Sequence, residues 1–313
     1  MTIPLVDLAR WTEGDEANRS ALTAEVDAHL AGLGFLMVTN HGISPEISAA
    51  ARDQAQAFFE LSSTSKAAYT CPSDAYRGWV GPGLESNSAS YGVDPADAPV
   101  DLKEAYSIGP AFAGAEKLRA TEPRWFAPNI WPNADLPEFQ PAMLAWMRAA
   151  DRLTCTVLNI LTRALGLRPD WVSENCGRAM ATVTINRYPR VDPGEGGWRV
   201  GAHTDFGTVT ILDRNFDNGL QVEQRAGKWV EAPVVPGALT VNLGEMMVLI
   251  SGGRWRANPH RVVAEPGMPE CLSLVYFHSP NHDVTLPDAA GTSAGSFLGN
   301  KMDQIVRSPE RAD

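Results

Sequence analysis

The chain has 313 residues, 44% of them hydrophobic and 20% charged, with a formal charge of −11 at pH 7; it is long enough to bury a sizeable core and has the composition of a globular enzyme. The negative charge argues against general affinity for nucleic acid or anionic lipid, but leaves substrate charge open, since a small basic pocket fits inside an acidic protein. The opening MTIPLVDLARWTEGDE lacks signal-peptide character, no apolar run reaches the ~18–20 residues of a membrane span, and Cys71, Cys155, Cys176 and Cys271 form no CxxC pair, so a cytoplasmic protein with free thiols and no cysteine zinc site is expected.

Apolar residues at helical spacing predict helices over Ser20–Leu33 and Pro45–Leu61, flanking a β-rich piece, Gly34–Asn40. From Cys71 to about Pro132 the chain is rich in Gly, Pro, Ser and Asp and reads as loop, of the kind that forms a lid or a substrate-facing wall. Pro141–Leu167 reads as the longest amphipathic helix, with Leu144, Met147, Leu153, Val157, Ile160 and Leu161 as core. After Gly177 the period becomes strand-like. Expected strands are Ala181–Tyr188, Thr208–Asp213, Leu220–Gln224, Trp229–Ala232, Leu239–Leu243, Met247–Ile250, Arg261–Ala264 and Cys271–His278. Short strands separated by Gly, Asn and Pro turns indicate a sandwich or barrel. The expected fold is mixed α and β, a double-stranded β-helix (jelly-roll) core flanked by helices. The expected organisation is a single catalytic domain over 1–313, with an N-terminal helical and loop cap region (1–135) followed by the long helix and the jelly-roll (136–313).

Six histidines are few enough to weigh singly. His203 and Asp205 stand two apart in GAHTDFG, so in extended chain imidazole and carboxylate face one point. His260 opens a later strand in NPHRV, after a segment long enough for several hairpins. Two histidines and one carboxylate on one face of an octahedron leave three positions open, the ligand set of non-haem Fe(II) oxygenases; the same donors also admit Mn, Co, Ni or Zn. His41 in its NHG turn reads as structural and His29 as a helix-surface residue, while His278 and His282 are expected at solvent or a pocket rim.

The runs GAHTDFGTVTIL, GLQV and LTVNLGEMMVLISGGRWRANPHRV, preceded in order by IPLVDL, GFLMVTNHGI, RGWVGPGLES, DLKEAYSIG and NIWP, resemble the iron- and 2-oxoglutarate-dependent oxygenases. Within them the chain is similar to the branch of isopenicillin N synthase and deacetoxycephalosporin C synthase. The resemblance implies Fe(II) on His203, Asp205 and His260, O2 as co-substrate, and 2-oxoglutarate converted to succinate and CO2 while a substrate is hydroxylated, desaturated or cyclised. It further implies that the distal carboxylate of 2-oxoglutarate meets an R-x-S motif and the tyrosine of an N-x-Y motif. The latter is Asn186-Arg187-Tyr188, but the former reads Cys271-Leu272-Ser273.

A thiol cannot supply the missing charge. Removing one partner of a buried ion pair costs about 3–5 kcal/mol, several hundred-fold or more in affinity. Three readings follow. Another cation reaches the site, from Arg190, Arg199, Arg254 or Arg256, strand alternation turning Arg187 away; or the oxo-acid or its pose differs; or the enzyme is an oxidase needing no oxo-acid, as isopenicillin N synthase is. The co-substrate expected from the resemblance is 2-oxoglutarate, beside Asn186, Tyr188, Ser273 and Cys271.

The substrate pocket is expected around Arg77, Gly78 and Trp79 and the wall Leu84–Tyr91. Arg77 is the candidate partner for a substrate carboxylate or phosphate, weighed against a solvated loop arginine. Phe277 is a candidate cavity residue, weighed against core packing, and Trp198 and Arg199 are candidates for the pocket edge. The resemblance implies a small, carboxylated metabolite of secondary metabolism; from the charge and the lack of an apolar span no nucleic acid or membrane is expected, and no obligate protein partner is evident. Two other classes stay open: a non-redox Zn or Mn jelly-roll hydrolase or isomerase, and a silent binding protein. Consumption of O2 separates both from an oxygenase.

Overall fold

The computed structural model describes residues 2–70, 76–88, 100–193, 196–214, 219–224 and 227–305; Cys71 and residues 89–91 of the expected pocket wall lie outside them. The first part of the chain runs β1 (Leu5–Asp7), α1 (Ala9–Thr12), α2 (Glu16–Gly32), β2 (Phe35–Thr39), α3 (Pro45–Glu60), α4 (Ser63–Ala67), β3 (Gly78–Val80), β4 (Glu104–Ile108), α5 (Ala115–Leu118) and α6 (Pro123–Phe126). Then come α7 (Phe139–Ala164), α8 (Trp171–Cys176), β5 (Thr182–Tyr188), β6 (Gly197–His203), β7 (Val209–Asp213), β8 (Leu220–Glu223), β9 (Trp229–Glu231), β10 (Leu239–Leu243), α9 (Glu245–Ile250), β11 (His260–Ala264), β12 (Cys271–His278) and α10 (Ala294–Ile305).

Local chemistry sets the helix ends. Asp15 accepts the Asn18 amide to start α2. Ser44 accepts the Ile47 amide, with Pro45 in the first turn of α3. Gly166, at φ +66°, turns the chain out of α7.

Eight strands form one sheet in the order β1-β2-β10-β7-β12-β5-β4-β3, and four form a second, β6-β11-β8-β9. Only the β1–β2 pairing is parallel among the described strands. Side-chain alternation gives the large sheet two unlike faces. Val183, Ile185, Val209, Ile211, Val241, Leu243, Leu272, Leu274 and Tyr276 join Phe58, Phe139, Trp146, Leu153 and Leu161 of α3 and α7 in the main core. The opposite residues, Thr182, Thr184, Asn186, Tyr188, Thr210, Leu212, Asn242, Val275 and Phe277, line a cavity facing the small sheet. This is the expected jelly-roll flanked by helices. Among the described residues no helix is long and apolar enough to cross a membrane.

Four local expectations are corrected. Met247–Ile250 is not a strand but lies within α9; a short apolar run does not reveal its period, and the first amides of α9 take up the carbonyls of Asp205, Phe206 and Gly207. The stretch read as loop before Pro132 contains β3 and the fully buried β4, whose alternation is hidden because both faces are covered. Gly197–His203, absent from the expected strands, is β6, its glycines masking the pattern. His278 is neither at solvent nor at a rim: it is 1% exposed, with Nδ1 2.7 Å from Thr208 Oγ1.

Burial lowers the His278 pKa to about 4. A base that is harder to protonate folded than unfolded is a stability loss on acidification: none above the unfolded value near 6.5, growing as pH falls to about 4. At ~1.4 kcal/mol per unit the full effect is about 3 kcal/mol. We expect the difference in denaturant stability between wild type and His278→Asn to shift over that window in favour of the variant; parallel pH profiles would refute it.

Candidate metal centre and cavity

The site is assembled where the small sheet meets the loop into β7. His260 opens β11 directly opposite His203, which closes β6, and Asp205 follows two residues on. The donor atoms of His203, Asp205 and His260 all lie within 4.8 Å of one another, and no other group of three His, Cys, Asp or Glu does so among the described residues. Each histidine Nε2 stands 3.8–3.9 Å from Asp205 Oδ1, and all three residues line the cavity, of about 740 Å³.

The surroundings suit a metal. His203 Nδ1 lies 2.8 Å from the Gly201 carbonyl and His260 Nδ1 3.2 Å from that of Asn258. A carbonyl only accepts, so Nδ1 carries the proton in each ring and Nε2 presents its lone pair inward. Burial, then the neighbouring His260, draws the His203 pKa down to about 3, against the opposing pull of Asp205, so its imidazole is neutral at physiological pH. The other oxygen of the carboxylate, Oδ2, accepts from Thr210 Oγ1 and Asn242 Nδ2, both at 2.6 Å. Burial alone would raise the Asp205 pKa, but the two histidines and these hydrogen bonds outweigh it and hold it below the ordinary value. Phe35 packs edge-on against His260 at 5.4 Å.

Glycines let the backbone close behind the triad. A Cβ on Gly207 would meet His278 O at 2.2 Å, and one on Gly244 would meet Gly207 O at 2.3 Å. The loop after Asp205 is thereby pressed onto β12 and the start of α9, and Thr204 Oγ1 reaches Glu245 at 2.7 Å. Asn242 is open to a direct test: Asn242→Leu keeps the volume but removes one of the two donors to Asp205 Oδ2, leaving Thr210. We expect metal affinity to drop about 10–100-fold, read by Mn(II) titration; unchanged affinity would remove Asn242 from the site.

The expected co-substrate residues share one strand face, with Cys271 opposite Tyr188 and Ser273 opposite Asn186, but only Asn186 and Tyr188 are part of the cavity lining; Cys271 and Ser273 are buried behind it. Ser273 Oγ lies 3.5 Å from Tyr188 Oη. Of the expected substrate residues, Arg77 and Phe277 line the cavity. Arg77 is no solvated loop residue: it is 3% exposed, donating from Nη2 to Trp125 O at 2.6 Å. Trp79 is not brought to the lining; its indole donates to Glu104 at 2.7 Å on the helix side of the sheet. Trp198 is also absent from the described lining and is stacked by Arg261 at 4.5 Å.

Sequence reading passed over Lys103, which is buried, lines the cavity, pairs with Glu85 and donates to Asn186 Oδ1 at 3.1 Å. The dense charge of Asp101-Leu-Lys-Glu104 just ahead of an apolar strand was its available signal. The wall formed by Arg124, Trp125, Leu298 and Met302, from α6 and α10, carried no comparable signal.

Residues 3–134 match the family model for the N-terminal part of the non-haem dioxygenase in morphine synthesis, and residues 180–280 that of the 2OG-Fe(II) oxygenase superfamily. A validamycin A dioxygenase from Streptomyces hygroscopicus subsp. limoneus is 34% identical over 306 residues, covering 95% of this chain and 82% of that protein. The 2-oxoglutarate-dependent dioxygenase frbA of a Dothideomycetidae sp. is 31% identical, covering 90% and 87%. The fold matches that of a full-length Neurospora crassa protein solved in complex with alpha-KG, with a TM-score of 0.82 at 24% identity and 96% of each chain covered; that protein is also known with alpha-KG and thymine together. With the triad and cavity in place, these likenesses show that the chain belongs to the 2OG-Fe(II) oxygenase superfamily, as a dioxygenase using Fe(II), 2-oxoglutarate and O2.

Proposed function

We propose that His203, Asp205 and His260 hold Fe(II), that 2-oxoglutarate lies between the iron and the Asn186, Tyr188, Cys271 and Ser273 face, and that a small carboxylated metabolite occupies the outer cavity for hydroxylation, desaturation or ring closure. The observation that carries the reading is the convergence of two imidazoles and one carboxylate at the wall of a cavity of about 740 Å³. Bound Fe(II) and 2-oxoglutarate supply O2 activation there, with 2-oxoglutarate leaving as succinate and CO2. The chain's own part is positioning. Gly201 and Asn258 carbonyls fix the imidazole tautomers, while Thr210 and Asn242 aim the carboxylate. Val262, Val275, Leu212 and Phe277 keep the interior apolar and exclude water from the reacting centre. Arg77, buried at the cavity wall, is the partner for a substrate carboxylate.

The same reading takes 1–313 as one catalytic domain, since β1 to β4 extend the sheet that carries β5 and β12. Free thiols at Cys155 and Cys176 favour the reducing cytoplasm as its place of action. The test is anaerobic Fe(II) titration with 2-oxoglutarate, following the visible charge-transfer band of the chelate. A saturable band at one equivalent per chain, lost in His203→Ala, is expected. Confirmed Fe(II) binding with no band at millimolar 2-oxoglutarate would overturn the assignment of these residues.

A further inference from the structure

We propose that Arg199, delivered by β6 of the small sheet, supplies the positive charge for the distal carboxylate of 2-oxoglutarate, in place of the arginine that R-x-S would put at Cys271. The proposal rests on the 2-oxoglutarate reading above and assigns a residue the motif does not name.

The rung formed by Tyr188 and Cys271 closes the inner end of the face that also carries Asn186 and Ser273. An arginine at 271 would project its guanidinium from that rung. The thiol there leaves the space free, and Arg199 fills it from across the sandwich. Its side chain is fully buried. Nη1 lies 3.2 Å from Cys271 Sγ, and Nη2 donates to Pro189 O at 3.1 Å and Pro269 O at 2.5 Å. Those carbonyls belong to the chain just after Tyr188 and just before Cys271. The guanidinium carbon is 5.6 Å from the Tyr188 ring centre, and the neighbouring Val200 lines the cavity with Tyr188. The fork is therefore anchored on the two strand ends that bear the N-x-Y and x-x-S residues. Arginine at both 199 and 271 would set two guanidinium groups in one buried space, so Cys271 and Arg199 read as one exchange. Arg199 is the extra residue between Trp198 and Val200 where β6 bulges against Val262 and Val263 of β11, and it stands just behind the cavity lining rather than in it.

The other cations fit less well. Lys103 touches Asn186, but it is paired with the buried Glu85 and lies under the field of Asp101; a carboxylate arriving there meets like charge. Arg187 is on the helix face, held by Glu104 and Glu270. Arg254 is engaged with Asp27, and Arg190 is exposed.

The experiment compares 2-oxoglutarate with 2-oxobutyrate, which chelates iron through the same keto-acid end but has no distal carboxylate. Affinities are read anaerobically from the charge-transfer band, with Fe(II) binding and thermal melting as controls. Arg199→Met is expected to lose at least ~100-fold in 2-oxoglutarate affinity while 2-oxobutyrate binds as in wild type. Arg199→Met combined with Cys271→Arg returns the guanidinium from β12 and is expected to restore the preference; it also serves if the single variant does not fold. Equal weakening of both oxo-acids, an unchanged preference in Arg199→Met, or a folded double variant without the preference would each overturn the proposal. A wild type that binds Fe(II) but neither oxo-acid would instead overturn the reading on which it rests.

Discussion

Asp205→Asn is expected to abolish turnover and to weaken Fe(II) binding by at least ~100-fold while leaving the fold intact. The carboxylate is the only anionic donor of the three, 5% exposed and already aimed by Thr210 and Asn242. The amide keeps shape and volume but removes the charge that offsets the cation's desolvation, and uncompensated buried charge costs several kcal/mol. Binding to the native state alone adds RT ln(1 + [L]/Kd), about 2.7 kcal/mol at a hundredfold excess over Kd, which is roughly 5 °C in a chain of this size. Fe(II) or Mn(II) should therefore raise the melting temperature of wild type and not of Asp205→Asn. A metal-induced rise of the same size in both would remove Asp205 from the ligand set.

Some of this site was legible from sequence, and the reasons differ by residue. His203 and Asp205 stand close in the chain, so an extended backbone suffices to aim them together. His260 needed only a start-of-strand position, and its pairing with His203 follows from the hairpins between them. Asn186, Tyr188 and Ser273 came from the motifs of the family that the chain resembles, and only Phe277 followed from period-2 alternation, counted from Ser273 along β12. Where alternation fails, so did the reading. In β4 both faces are buried, and Lys103 was lost with the strand. In β6 shifted register breaks the alternation, so Arg199 was read only as a candidate for the pocket edge and as one of four arginines for the oxo-acid. The strand proposed at Met247 failed because helix amides, not strand pairing, meet the loop carbonyls after Asp205. Trp79 failed for a tertiary reason: Glu104, 25 residues away, claims its indole N–H.

That same Glu104 carries the largest expected stability effect. Its carboxylate accepts from Lys66 at 2.8 and 3.0 Å, from Arg187 at 2.7 Å and from Trp79 at 2.7 Å. It thereby ties α4, β3 and β5 to β4 on the helix side of the sheet, opposite the cavity. Glu104 and Lys66 are 5% and 6% exposed. In Glu104→Met the ammonium of Lys66 keeps the Phe59 carbonyl at 3.2 Å but loses its counter-charge, whereas Arg187 retains Glu270. Breaking one side of such a pair costs about 3–5 kcal/mol, a fall in melting temperature on the order of 10 °C. Replacing both partners, Glu104→Met with Lys66→Met, removes the orphaned charge and should recover much of that loss, because a buried pair is worth little over apolar packing of similar volume. Thermal denaturation of the two single variants and the double variant completes the cycle. A double variant no more stable than Glu104→Met would show that the cost lies in packing and in the Trp79 and Arg187 hydrogen bonds. Because the cluster faces away from the triad, 2-oxoglutarate affinity well below the transition should match wild type, so that stability and chemistry are carried by opposite faces of one sheet.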